Sequence, residues 1–337
     1  MSTTEPHKLL ILDDYTSSSM TLADWSHLTR PPHSLSITVL TRPIPPSELI
    51  STLSQYSVLH LMRERTPLSS SQLSQLSPRL KFITTTGMKN RGIDLDACQR
   101  LGIVVSGTDS VETRSASGTV EQTWGLILNL SRRITKEHAN LTLQTGDANG
   151  ERVWQTGVAV GLKGKTLGLI GVGRLGKQVA QVGKAFGMGV VGWSPNLTKE
   201  RAQEAGVEFV GSLEELLKTS DVVSLHIVLS DKTRGILGKK ELGLMKRTAF
   251  LVNTSRGPLV NEDALVEAVR EGTIAGAGLD VFDVEPLPRD HPLRSLENVV
   301  LSPHMGYVET PLYEIWHKQT VENVENFLEG NPVRVLQ

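Results

Sequence analysis

The stretch Lys165-Thr166-Leu167-Gly168-Leu169-Ile170-Gly171-Val172-Gly173-Arg174-Leu175-Gly176 decides how the chain is read. Residues 167–170 are an apolar run of the length of one buried parallel strand, Gly171, Gly173 and Gly176 follow as G-x-G-x-x-G, and residues 177–186 read as a helix. Gly171 makes the tight turn, Gly173 lets the backbone approach a pyrophosphate, and Gly176 lets the helix pack closely on the strand. The pyrophosphate would sit on the N–H groups of the helix N-terminus, around Arg174 and Leu175. A bare G-x-G-x-x-G arises by chance in glycine-rich turns; the strand–turn–helix setting is what makes it a dinucleotide site.

Downstream of this stretch, strands are predicted at 190–193, 222–225, 249–253, 276–280 and 299–302, with helices at 199–205, 213–217, 239–244 and 261–271. With 167–170 they make a six-stranded doubly wound pattern. Upstream, strands at 9–12, 36–40, 58–62, 80–83 and 103–105 alternate with helical pieces at 21–28, 71–76 and 94–101 and with one capped by Ser47. No glycine fingerprint occurs there, so this is not the cofactor half. Residues 118–136 read as one long helix that can bridge two domains, residues 146–150 as a turn, and the helix at 312–327 can return to the first domain. The expected fold is α/β, with two doubly wound domains.

The 337 residues are enough for two such cores, and a net charge of −1 makes a nucleic-acid partner a poor expectation. The single cysteine, Cys98, excludes an intramolecular disulfide and points to a reducing compartment, with Cys98 itself read as a small buried hydrophobe. The apolar run 9–12 is too short for a signal peptide or a membrane span. A soluble cytoplasmic protein without a bound metal is expected.

In open α/β sheets, ligands bind beyond the carboxyl ends of the strands. Arg256 follows the strand at 249–253, Asp280 ends the next and Glu285 comes after it, and His304 follows the last. Hydride transfer to a 2-oxo acid needs this set. An arginine fork holds the substrate carboxylate, and a histidinium gives its proton to the carbonyl oxygen. A neighbouring carboxylate favours and orients the protonated imidazole.

These motifs resemble the D-isomer-specific 2-hydroxyacid dehydrogenase family, which includes phosphoglycerate dehydrogenase, glyoxylate/hydroxypyruvate reductase, formate dehydrogenase and the C-terminal-binding-protein corepressors. The resemblance runs over almost the whole chain. It rests on Trp154-Gln155, Leu162-Lys163-Gly164-Lys165-Thr166, the glycine fingerprint and Ser220-Asp221-Val222-Val223-Ser224-Leu225-His226. Further on it rests on Asn253-Thr254-Ser255-Arg256-Gly257, Asp280-Val281-Phe282 with Glu285-Pro286, and Ser302-Pro303-His304-Met305-Gly306. It implies a catalytic arginine, glutamate and histidine at Arg256, Glu285 and His304, and places an aspartate that holds the nicotinamide carboxamide at Asp280.

The resemblance also implies a discontinuous flavodoxin-like substrate domain (1–115 and 308–337), a Rossmann cofactor domain (116–307) and a homodimer formed through the cofactor domains. The cofactor contacts it suggests are Gly171, Gly173, Arg174, Leu175, Gly176, Ser194, Asn196, His226, Thr233, Asn253, Thr254, Ser255, Asp280 and Gly306. Substrate would meet Gly87, Met88, Arg63 and Arg256. The N–H groups of Gly87 and Met88 are expected to be left unpaired by their turn, whereas Arg63 and Arg65 also read as a surface ion pair with Glu64. Trp316 reads as core or as a pocket wall.

Two departures stand out. Members that use NAD carry an aspartate after the second Rossmann strand, where Ser194 stands here; Ser194, Asn196 and Thr198, with Lys199 or Arg201, could hold a 2′-phosphate, so NADP(H) is the expected cofactor and NAD(H) the alternative. Val228 stands where proline is common. Glu285 argues against formate dehydrogenase, which has glutamine there. The expected activity is reduction of a 2-oxo acid in a glyoxylate/hydroxypyruvate reductase-like branch without a regulatory domain; the alternative is a nucleotide-sensing, corepressor-like binding protein.

Overall fold

The computed structural model describes residues 6–109, 118–142 and 154–337. The chain divides into two compact units, Met1–Ala116 with Glu309–Gln337, and Ser117–Val308.

The first unit is built on a five-stranded parallel sheet of β1 (Lys8–Ile11), β2 (Ser36–Val39), β3 (Val58–Leu61), β4 (Phe82–Thr85) and β5 (Val104–Ser106), in the order β2-β1-β3-β4-β5. This is the flavodoxin-like order, with its switch point between β1 and β3. Leu9, Leu10, Ile11, Val58, Leu59, Leu61, Phe82 and Ile83 have no exposed surface, as expected of parallel strands covered on both faces. The helices are α1 (Leu49–Leu53), α2 (Ser70–Leu76), α3 (Leu95–Arg100) and the last helix of the chain, α11 (Thr310–Leu328). The last helix lays Val321 and Val324 in one cluster with Leu9, Ile11 and Phe82, and Phe327 stacks on Phe82 with ring centroids 4.4 Å apart.

Two expectations fail in this unit. Residues 21–28 form turns, not a helix. Asp24 accepts the Ser26 N–H at 2.8 Å and the Trp25 indole donates to Ser19 O at 2.9 Å, so side chains compete with a helical ladder for the backbone. The fourth strand starts at Phe82 instead of residue 80 and runs on through Thr84 and Thr85, which are buried and which an apolar-run criterion passes over.

The second unit carries β6 (Thr166–Ile170), β7 (Gly189–Trp193), β8 (Glu208–Phe209), β9 (Val222–Leu225), β10 (Phe250–Asn253), β11 (Gly276–Leu279) and β12 (Val299–Leu301). Their order is β12-β11-β10-β9-β6-β7-β8, all parallel, with the switch point between β6 and β9. The seventh strand, β8, has two residues and no apolar run, so the sequence reading of six strands missed it. The helices are α4 (Gly118–Arg132), α5 (Ile134–Thr142), α6 (Arg174–Ala185), α7 (Lys199–Glu204), α8 (Leu213–Thr219), α9 (Lys239–Leu242) and α10 (Glu262–Arg270).

The expected single helix at 118–136 is in fact two. Arg133 takes φ +61°, a left-handed conformation that ends α4 before α5 begins. Val120, Trp124, Leu126, Ile127 and Leu130 of α4 are buried with Leu167, Leu169 and Val252 of the sheet. The glycine-turn helix begins at Arg174, three residues before the expected 177, so its N-terminus rests directly on the glycine turn. The turn expected at 146–150 lies outside the described residues. Among the described residues no helix is long and apolar enough to cross a membrane.

Candidate active site

The switch point of the second sheet is shaped by glycine. Gly171 has φ +103°, and a Cβ there would lie 2.5 Å from His226 O; a Cβ on Gly176 would lie 2.2 Å from Gly171 O. Both distances are impossible for a side chain, so the turn closes tightly on the end of β9. Gly173 is the N-cap of α6, no side chain caps that end, and a Cβ on Gly173 would meet nothing within 4 Å. A twelve-residue helix whose uncapped, electropositive end lies beside open space fits a pyrophosphate. His226 follows β9 with its Nε2 2.9 Å from Ser224 Oγ, and burial lowers its pKa to about 4. Its imidazole is therefore neutral near pH 7 and is no acid there. Thr233 Oγ1 lies 2.8 Å from both Val228 O and the Ser230 N–H, closing the loop that carries exposed Val228.

After β10 the chain is folded by Asn253, which accepts the Ser255 N–H at 3.0 Å and donates to Arg256 O at 2.9 Å. Ser255 Oγ donates to Ile227 O at 2.7 Å, and Thr254 Oγ1 lies 2.8 Å from Thr123 Oγ1. The side chains of Asn253, Thr254 and Ser255 thus hold the loop that presents Arg256. The Arg256 guanidinium is exposed and donates to Ser255 O at 2.7 Å. A Cβ on Gly257 would lie 2.1 Å from the Phe282 carbonyl carbon, so the loops after β10 and β11 touch through backbone alone.

Glu285 and His304 meet there. His304 Nδ1 lies 2.6 Å from Glu285 Oε2, while Glu285 Oε1 accepts the Phe282 N–H at 2.9 Å. Both of the carboxylate's oxygens are therefore fixed. The side chains are 27% and 34% exposed, so the pair borders solvent. Burial raises the Glu285 pKa, but the hydrogen bond and charge of His304, the Phe282 N–H and the charge of Arg256 outweigh it and hold the carboxyl below its ordinary value. His304 itself sits at φ +55°.

Asp280 holds that conformation. Its carbonyl accepts the His304 N–H at 2.8 Å. Its Oδ1 accepts from Ser302 Oγ at 2.5 Å and from the Met305 N–H at 2.8 Å, and its Oδ2 accepts the Gly306 N–H at 2.9 Å. Burial pushes its carboxyl up, against the pull of these donors. The sequence reading gives this carboxylate to a nicotinamide carboxamide. In the structure it has no exposed surface and spends its bonds on the loop around His304.

Residues 124–306 match the family model for the NAD binding domain of D-isomer specific 2-hydroxyacid dehydrogenases. Over 293 residues the chain is 40% identical to the glyoxylate reductase of Aeropyrum pernix, covering 86% of this chain and 85% of that protein. The chain belongs to the D-isomer specific 2-hydroxyacid dehydrogenases. It is also 39% identical over 259 residues to the D-3-phosphoglycerate dehydrogenase of Methanocaldococcus jannaschii, covering 77% of this chain and 47% of that protein. The crystal structure of a phosphoglycerate oxidoreductase from Vibrio cholerae O395 matches with a TM-score of 0.84 and 34% identity, covering 96% of this chain and 99% of that one. The chain is thus an oxidoreductase with a Rossmann domain for a nicotinamide dinucleotide.

In this dehydrogenase the strand β7 ends in a turn where Leu197 N–H bonds Ser194 O at 3.1 Å. Thr198 Oγ1 is used as the N-cap of α7, and Arg201 Nη1 donates to Asn196 O at 3.4 Å. Asn196, Lys199 and Arg201 are exposed, Ser194 half-buried.

Of the predicted substrate residues, Gly87, Met88 and Arg63 lie in the first unit and come together there, whereas Arg256 belongs to the second. Gly87 has φ +88°, and a Cβ on it would lie 2.7 Å from an Arg63 guanidinium nitrogen. Arg63, at φ +57°, donates its N–H to Thr86 Oγ1 at 2.9 Å, accepts from Asn90 Nδ2 at 2.8 Å, and lies over Trp316 at 5.9 Å and 3.7 Å from Glu64. One expectation fails. The Gly87 N–H is not left over by the turn, because buried Thr108 accepts it at 2.8 Å. Of the two amides, only that of Met88 finds no partner among the described residues. Trp316 is buried, and so is Cys98, whose thiol is pushed up to about 12 by burial. The sequence did not show the bonds made by Thr108, Asn90 and Ser302: each is a small polar residue whose partner is distant in the chain or needs a specific loop shape.

Proposed function

We propose that the chain reduces a small 2-oxo acid to its D-2-hydroxy acid, with His304 as proton donor, Glu285 as its partner and Arg256 as the fork for the substrate carboxylate. The observation that carries this reading is the 2.6 Å His304–Glu285 pair beside Arg256 at the carboxyl edge of the sheet. The bound dinucleotide supplies the hydride. The chain supplies the rest. Arg256 offers two parallel N–H donors that match a carboxylate and turn the neighbouring carbonyl. Because Nδ1 faces the Glu285 carboxylate, it carries one proton, and Nε2 is the nitrogen that gives its proton to the carbonyl oxygen. In the reverse direction Nε2 takes that proton back.

The glycine turn and the uncapped α6 support a pyrophosphate there, with His226 lining the cofactor site and Asn253, Thr254, Ser255 and Thr233 shaping its loops. NADPH is preferred over NADH in this reading, because Ser194 puts no carboxylate against a 2′-phosphate and Lys199 and Arg201 stand exposed on the adjoining turn. In the first unit, Met88 N–H and Arg63 are the groups offered to the substrate. A homodimer through the second unit is supported by the exposed Ile134, Leu141, Trp154 and Val158, and a cytoplasmic location by the single buried Cys98. Nothing in the relatives favours the corepressor-like alternative.

The test is loss of reduced-nicotinamide absorbance with NADPH and NADH in parallel against a panel of 2-oxo acids including glyoxylate and hydroxypyruvate. Oxidation of NADPH with the higher kcat/KM is expected, and Ser194→Asp should shift the ratio toward NADH by about tenfold. A wild-type kcat/KM higher with NADH overturns the cofactor preference. Absence of turnover with every acid, at intact nucleotide binding, overturns the assignment of a small 2-oxo acid.

A further inference from the structure

The first turns of α4 carry Thr119, Gln122 and Thr123 at i, i+3 and i+4, on one face of the helix. Each reaches a different part of the site. Thr119 Oγ1 donates to Gly306 O at 2.8 Å, Gln122 Nε2 donates to Ser302 Oγ at 2.7 Å, and Thr123 Oγ1 meets Thr254 Oγ1 at 2.8 Å. Counting protons fixes the direction of these bonds. Ser302 has one hydroxyl proton, and it points to Asp280 Oδ1 at 2.5 Å, the carboxylate oxygen that also accepts the Met305 N–H. The Ser302 oxygen must then accept, and the Nε2 end of the Gln122 amide is the donor that meets it. Thr123 in turn lies 2.7 Å from Thr119 O, which can only accept, so Thr254 donates to Thr123. A single directed chain runs from Gln122 through Ser302 to Asp280. From there it passes through the Met305 and Gly306 amides and the Asp280 carbonyl to the backbone of His304.

We propose that Gln122 is a positioning residue for the proton-transfer step: by donating to Ser302 it orients the Asp280 carboxylate that clamps the loop of His304 in its left-handed conformation, and Thr119 anchors the far end of the same loop. The inference rests on the reading of His304 as the proton donor. Gln122 lies on another element, separated from His304 by two side chains and a backbone, so its contribution is to geometry and not to nucleotide contact. Removing the donor leaves a half-buried hydroxyl oxygen short of a protein partner and frees Ser302 to rotate away from Asp280.

The experiment compares Gln122→Met, Ser302→Ala and the double variant in kcat, substrate KM, dissociation constant for the reduced nucleotide by fluorescence, and thermal midpoint. Expected are a fall in kcat of about fivefold for Gln122→Met, the order set by one hydrogen bond, and an unchanged nucleotide dissociation constant. The double variant should be no slower than Ser302→Ala alone. Gln122→Glu keeps the shape but puts an acceptor where the donor stood, and should show the same loss in kcat even if the methionine variant is poorly folded. Single effects that multiply in the double variant overturn the inference, as does wild-type kcat in a folded Gln122→Glu or Gln122→Met protein. His304→Asn, run alongside, separates the two levels: full turnover in it removes the reading of His304 itself, whereas loss in it with wild-type Gln122 variants removes the positioning role alone.

Discussion

The second sheet reverses its strand order between β6 and β9, and the first between β1 and β3, yet the two crevices are filled in opposite ways. In the second unit, Gly171, Gly173 and Gly176 keep side chains out, and the helix end facing the crevice is uncapped. In the first, the same place is occupied by side chains. Asp13, buried and at φ +56°, accepts from Thr66 Oγ1 at 2.5 Å and from Tyr15 at 3.1 Å, while its carbonyl accepts from Arg65 at 2.7 Å. Asp14 accepts the N–H groups of Ser18 and Ser19, and Ser18 reaches His317 at 3.0 Å. A doubly wound sheet therefore offers a crevice, and local side chains decide whether it stays open to a ligand.

The contrast can be broken by substitution. His304→Asn should reduce turnover by roughly 10³-fold while nucleotide binding, followed by fluorescence titration, stays as in the wild type; turnover within tenfold of wild type would place the acid elsewhere. Gly257→Ala comes next. Its methyl cannot fit 2.1 Å from the Phe282 carbonyl carbon, so the loops after β10 and β11 must separate, and a loss of about 100-fold in kcat is expected from a displacement near 1 Å. A near-normal rate in that variant would mean that Arg256 and His304 need no fixed spacing.

Glu285→Gln should slow reduction by about tenfold to 100-fold, because the imidazole loses the carboxylate that holds its Nδ1 at 2.6 Å. The stability side has a definite sign. The Glu285 pKa is lower in the fold than in the unfolded chain, so the pair stabilises the protein above the ordinary glutamate pKa of about 4.3. That contribution disappears as pH falls through the lowered value. A wild-type rate in Glu285→Gln, with the acid-side dependence of its thermal midpoint also unchanged, would count against the pair.

The smallest effect on turnover belongs to the first unit. His60 is fully buried on β3, and burial, with the charge of His317, lowers its pKa to about 3. The unfolded chain takes up this proton below an ordinary value of about 6.5, so the neutral buried form loses stability as pH falls from there toward 3. His60→Leu should flatten the acid-side decline of the thermal midpoint and leave kcat near pH 7 within about twofold. An unchanged slope would show that His60 does not set the acid sensitivity of its unit.

How much of this is legible in the sequence depends on the range of the interactions. Strands such as 167–170 and 222–225 announce themselves because every residue is apolar or small, and the first also because the glycine turn follows it. Arg256, Glu285 and His304 can be singled out for a related reason: each comes just after a strand, where the topology places polar groups at the sheet's carboxyl edge. β8, with two residues, carried no pattern, and 21–28 looked helical because the bonds of Asp24 and Trp25 to nearby backbone are not part of hydrophobic periodicity. Asp280 is the instructive residue. Its position marked it as part of the site, but only the structure shows its carboxylate enclosed by Ser302, Met305 and Gly306. Likewise the turn at Gly87 stands out in the sequence, and the claim of its amide by Thr108 does not.

The bare backbone contact at Gly257 also bears on how sequence can be exchanged between relatives. Because the loop that Asn253 folds leans at Gly257 on Phe282 with no side chain to absorb a mismatch, it and the segment that follows Asp280 form one inheritance block. Chimaeras joined within residues 253–285 should inherit mismatched halves and lose turnover, while crossovers outside that span keep the block intact.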